Sequence, residues 1–90
     1  MRYIICYDVS DDRRRSRLAN TLLDFGHRLQ ESVFTAELDG ELHSRMAERV
    51  RQEIGDGDRL MIVPVCAACQ REVEAVGQGQ ALAEPKYYVI

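Results

Sequence analysis

Within its first 26 residues the chain switches hydrophobic period from two to 3.6, and this switch narrows the folds open to it. Tyr3-Ile4-Ile5-Cys6-Tyr7-Asp8-Val9-Ser10 is rich in β-branched and aromatic residues. As a strand it places Ile4, Cys6 and Asp8 on one face and Tyr3, Ile5, Tyr7 and Val9 on the other. Ser10, Asp11 and Asp12 then supply N-cap and first-turn residues, and Leu18, Ala19, Leu22, Leu23 and Phe25 form the stripe of an amphipathic helix ending at Gly26. Asp8 is therefore expected on a mostly apolar face, where a carboxylate requires a metal ion, an arginine or backbone donors. Counting back from Leu18 and Ala19 puts Arg15 on the sheet-facing side of the first turn and Arg14 at its margin, with Arg13 and Arg17 turned to solvent. Asp8 and two arginines are thus expected to converge at one end of a sheet. The plainer alternative is a capped helix with a solvated basic face and an ordinary ion pair from Arg14 or Arg15 to Asp8.

The same two periods recur downstream. Residues 28–38 have β-formers at their centre and read as a second strand, either one long strand or one that bends into two. Asp39-Gly40 interrupts, and Leu42, Met46, Val50 and Ile54 mark a second helix closed by Gly55. After the turn Gly55-Asp56-Gly57-Asp58, residues 59–66 form an apolar run expected to be a central strand buried on both faces. Pro64 should then lie at its exit or at a bulge. Residues 67–70 allow one helical turn, 71–76 alternate like a further strand, and Gly77-Gln78-Gly79 breaks the pattern. Strand–helix–strand units occurring twice predict an α+β, ferredoxin-like sandwich: one four-stranded antiparallel sheet with two helices on one face. Residues 1–76 are expected to form that domain. Residues 77–90 are expected to be a tail whose strongly β-forming end, Lys86-Tyr87-Tyr88-Val89-Ile90, is an extra strand pairing with a sheet edge of its own subunit or a neighbour's.

A 90-residue chain gains from burying surface against a second copy, so an oligomer is expected. There is no apolar run long enough to span a membrane and no signal-peptide pattern, which predicts a cytoplasmic protein. The net charge of -3 argues against a uniformly basic nucleic-acid binder. Yet residues 1–30 carry six Arg against four Asp, so basic character is concentrated where Asp8 lies. Arginine suits bidentate phosphate contacts, although a GC-rich genome would also favour its codons. Cys6, Cys66 and Cys69 are an odd number with no export signal, so reduced thiols are expected. Cys66-Ala67-Ala68-Cys69 as a zinc site would need two further ligands, with only Cys6, His27 and His43 on offer. A redox pair is chemically open to it, and buried small hydrophobes at a strand end are the simplest reading. Tyr7, Tyr87 and Tyr88 are expected to pack rather than to stack on bases.

Tyr7-Asp8-Val9-Ser10-Asp11-Asp12-Arg13-Arg14-Arg15, then Gly26 with Arg28, then Gln30-Glu31-Ser32-Val33-Phe34, then residues 58–66 occur in an order and spacing that resembles the CRISPR-associated protein two family, from Met1 to about Val76. The resemblance implies a ferredoxin-like homodimer whose C-terminal strands add to the dimer's sheets. It implies a role in acquiring new spacers, in which the dimer bridges copies of the CRISPR integrase and lies along a captured DNA duplex. It also implies Mg²⁺-dependent endonuclease activity on single-stranded RNA or double-stranded DNA, with Asp8 as catalytic residue and metal ligand. Thr35 stands where the family often has an acid. Arg13, Arg14, Arg15 and Arg17 are the expected phosphate contacts, and Ser10 and Ser32 would support a water or a phosphate, or serve only as a cap and a strand hydroxyl. The rival reading is a non-catalytic adaptor that clamps duplex DNA and docks the integrase, with Asp8 only positioning an arginine.

Overall fold

A computed structural model describes residues 1–77. The elements run β1 (Arg2–Asp8), α1 (Asp12–Leu23), β2 (His27–Gln30), β3 (Val33–Glu37), α2 (Gly40–Glu53), β4 (Arg59–Val65) and a short α3 (Ala67–Arg71). The strands form one antiparallel sheet in the order β2-β3-β1-β4. This is the expected ferredoxin-like arrangement. The segment over residues 28–38 bends into two strands at Glu31-Ser32, where Ser32 adopts a φ of 65°.

The covered face of the sheet carries Ile5, Tyr7, Val9, Phe34 and Ala36, all buried, and it packs against Leu18 and Leu22 of α1 and Met46 and Val50 of α2. The two long helices start where a carboxylate relieves the first unpaired amides: Asp11 accepts from Arg14 N at 2.9 Å and Asp39 from Leu42 N at 2.8 Å. Ser10 is therefore not the cap. After α1 the chain must pass against β3, and a Cβ on Gly26 would stand 2.0 Å from the Thr35 carbonyl oxygen, so only glycine fits there.

Two expectations need correction. β4 is an edge of the described sheet rather than a central strand buried on both faces. Met61 and Val63 are exposed, and Pro64 is tolerated inside β4 because an edge strand need not donate on both sides. Residues 71–76 are not a strand: Arg71 ends α3, and Glu72 N–H bonds back to the Cys69 and Gln70 carbonyls, turning the chain away. Only Ala75 is buried there, while Val76 is almost fully exposed. The expected tail strand at 86–90 lies outside the described residues.

Candidate functional site

Asp8 is the last residue of β1 and stands opposite Arg59, the first residue of β4. Alternation puts it on the sheet face that no helix covers, with Cys6 opposite Met61 and Ile4 opposite Val63 behind it. Asp8 is exposed rather than buried, so the expectation that it must be compensated inside the domain does not hold. Among the described residues, no side-chain hydrogen bond or ion pair engages its carboxylate. A shallow hollow of about 310 Å³ borders it, lined by Cys6, Tyr7, Arg59, Leu60 and Met61. A larger one of about 680 Å³ between α2 and β4 has mostly apolar walls, and its one carboxylate, Asp58, is already engaged.

The arginines divide into two pairs. Arg14 reaches away from Asp8 and forks onto Asp58, Nε to Oδ2 at 2.9 Å and Nη2 to Oδ1 at 3.2 Å. The Gly55 amide donates to the same Oδ2 at 2.9 Å. The Asp58 side chain is only 2% exposed, and the Arg14 bond, followed by the Gly55 amide, holds its carboxyl below the usual carboxylate range, outweighing the effect of burial. Asp58 in turn raises the Arg14 pKa. Arg15 donates to the Val9 carbonyl at 3.0 Å and the Ser10 carbonyl at 3.4 Å, and pairs with Asp12. The expected convergence of Arg14 and Arg15 on Asp8 therefore does not occur, because closer acceptors engage both guanidinium groups. Arg13 and Arg17 are exposed and make no ion pair among the described residues.

Ser32 is drawn close to the site by its backbone: its carbonyl accepts from Tyr7 N at 3.1 Å, extending the β1–β3 ladder by one bond beside Asp8. Ser10 is exposed just beyond the strand end. Thr35 is fully buried and donates to the Tyr3 carbonyl at 2.9 Å, a structural hydroxyl where the family often has an acid. Two residues near the site were missed as functional from sequence. Asp58 is the clamp for Arg14, and Arg59 is the cation facing Asp8. Both lie in the quoted 58–66 segment, but their partners are set by strand register and by a contact spanning 44 residues.

Among the described residues no three His, Cys, Asp or Glu side chains cluster to hold a metal ion. The donor set at the strand end is one unengaged carboxylate. That fits Mg²⁺, which keeps several waters and takes one or two carboxylates plus phosphate oxygens, and does not fit a tight all-protein cage. No helix of the described residues is long and apolar enough to cross a membrane.

Residues 1–73 match the family described as CRISPR associated protein Cas2. The chain is 38% identical over 81 residues to the CRISPR-associated endoribonuclease Cas2 1 of Chloroflexus aurantiacus, an alignment covering 88% of this chain and 87% of the relative. It superposes on the crystal structure of Streptococcus pyogenes Cas2 at pH 6.5 with a TM-score of 0.77 and 26% identity, covering 86% of this chain and 100% of the other. A chain of the partial Cas6-RT-Cas1–Cas2 complex, 24% identical, shares the fold at a TM-score of 0.75 over 92% of this chain and 91% of its own length. On the match over residues 1–73 and this identity, the chain belongs to the CRISPR associated protein Cas2 family.

Proposed function

We propose that this protein serves CRISPR adaptation as a homodimer that grips nucleic-acid backbone and hydrolyses a phosphodiester at Asp8. The observation that carries this reading is the state of the Asp8 carboxylate: exposed, without a partner among the described residues, beside a hollow and across from a cation. No hydrogen bond or ion pair among the described residues ties this group to its own fold, so its chemistry is free for a substrate. The endoribonuclease name of the Chloroflexus relative supports the reaction class.

Asp8 would hold Mg²⁺, which when bound polarises a phosphate oxygen and lowers the pKa of a bound water. Arg59 would offset charge on the phosphate as water adds at phosphorus and the bond to the leaving oxygen breaks. Arg13 and Arg17 would hold the strand through phosphates without reading its bases. Arg14 and Arg15, engaged by Asp58 and by the β1 carbonyls, would instead fix the helix that presents the other two.

The apolar row of Ile4, Cys6, Met61 and Val63 on the uncovered face supports the homodimer. Burying it against a second copy would bring two Asp8 carboxylates toward one axis and enlarge a thin ligand set. Substrates of either kind, single-stranded RNA or duplex DNA, present the same phosphates, and the DNA-bound dimer would bridge copies of the integrase. The adaptor reading keeps the dimer, the duplex and the integrase and removes only the cleavage. It is favoured by the thin donor set at the strand end, where among the described residues no three His, Cys, Asp or Glu side chains cluster.

The test is binding and cleavage of labelled single-stranded RNA and double-stranded DNA by wild type and Asp8→Asn, with and without Mg²⁺. Metal-dependent cutting that disappears in Asp8→Asn while binding persists is the expected result. Equal binding with no cutting by either protein, or equal cutting by both, refutes the nuclease and leaves the adaptor.

A further inference from the structure

At the other end of β4 from Asp8, Cys66 and Cys69 flank the first turn of α3, and both are exposed. This overturns the simplest expectation for them, buried small hydrophobes. The Cys66 sulfur stands at the N-cap, where it accepts from the Cys69 amide at 3.5 Å, which places it against the backbone of Cys69. Three residues of helix rise about 4.5 Å, and a disulfide spans Cα separations of about 4.4–6.8 Å. The Cys69 amide, donating to the Cys66 sulfur, pulls the Cys66 pKa down, which makes Cys66 the attacking thiol and leaves Cys69 to resolve.

The third cysteine cannot replace either one. Cys6 lies four positions along β1 from Arg2, the partner of Val65, so about 13 Å of strand separates it from the end of β4. Zinc is a poor fit for the pair, because no third His, Cys, Asp or Glu joins it among the described residues. Thiol–disulfide exchange requires no further ligand.

The geometry points to Cys66 and Cys69 as a thiol–disulfide couple whose co-reactant is a low-molecular-weight disulfide of the glutathione type. The Cys66 thiolate attacks one sulfur of the small disulfide, forming a mixed disulfide and releasing one thiolate. Cys69 gives its proton to solvent and attacks the Cys66 sulfur, forming the Cys66–Cys69 bond and expelling the second thiolate. Two protein thiols are oxidised and one external disulfide is reduced. The product closes the turn at which the chain leaves the sheet, about 20 Å of strand from Asp8, so the couple is separate from phosphodiester chemistry.

The test equilibrates the full-length protein in buffers of graded glutathione to glutathione-disulfide ratio, quenches with acid, alkylates, and reads the cysteine peptides by mass spectrometry. The expected result is that Cys66 and Cys69 lose two hydrogens together as the buffer becomes oxidising and regain them with dithiothreitol, unchanged in Cys6→Ser. Cys69→Ser should accumulate a glutathione adduct at Cys66, and Cys66→Ser should leave Cys69 the slower thiol toward alkylation. Two free thiols in the most oxidising buffer, separate adducts on both cysteines of the wild type, or a bond to Cys6 would each overturn the couple.

Discussion

Two aspartates stand near the same end of the sheet, Asp8 at the end of β1 and Asp58 in the turn before β4, and they differ in what engages their carboxylates. On the covered side, Asp58 has its oxygens engaged by the Arg14 fork and the Gly55 amide, and it joins the start of α1 to the turn before β4. On the uncovered side, Asp8 has no such partner among the described residues and faces solvent opposite Arg59. A carboxylate whose lone pairs are occupied stabilises a fold, whereas one left open is available to a metal ion, a water or a phosphate. The arginines divide on the same principle, with Arg14 and Arg15 committed to the fold and Arg13 and Arg17 open.

The largest expected effect lies in the covered layer. Phe34, 1% exposed and packed against Tyr7, should cost about 3–5 kcal/mol when replaced by Ala, a large share of what such a domain has. Urea unfolding checks this, and a loss below about 1 kcal/mol would mean that the two faces differ less than their exposure implies.

Asp58→Asn comes next and sharpens the contrast between the acids. The folded-state pKa of Asp58 is held below its ordinary value of 3.8. Its stabilisation is therefore present above that value and is lost as pH falls through the folded pKa. Asp58→Asn should lower Tm at neutral pH and flatten the acid limb of Tm against pH. Asp8→Asn, which removes no hydrogen bond or ion pair among the described residues, should leave Tm at neutral pH where it is.

Smaller effects belong to the open groups. Losing Arg13 or Arg17 to Ala should weaken nucleic-acid binding without sequence preference and reduce the slope of log affinity against log salt by about 1, whereas Arg14→Ala should show itself first in stability. Met61→Lys, at a side chain 63% exposed, should alter the unfolding free energy of the isolated subunit by no more than about 0.5 kcal/mol. The same change should shift sedimentation from dimer toward monomer if the uncovered face is where two copies meet.

Most of the fold was legible because it rests on local rules. Alternation marked β1, four-residue steps marked α2, and the polar run Ser10-Asp11-Asp12 marked the start of α1 within a residue or two. The failures are cases where a local pattern needed a partner. Residues 71–76 alternate like a strand, but a strand exists only when an edge receives it, and the α3 turn carries this stretch away. The apolar run in β4 reads as doubly buried, yet whether a second layer covers it is a property of the assembled sheet. In the site, exposure of Arg13 and Arg17 followed from helix periodicity alone, while the partners of Arg14 and Arg15 did not.

By itself the sequence determined the order of the strands and helices through β4 and the face each side chain of β1 and the two long helices occupies, because periodicity acts over a few residues. Only the tertiary structure decided which aspartate is engaged and which is open. Arg14 stands six residues from Asp8 and 44 from Asp58, and it pairs with Asp58 because the turn after α2 places that carboxylate and the Gly55 amide against the first turn of α1. Charges pair by distance in space, and the packing of helices on the sheet sets that distance.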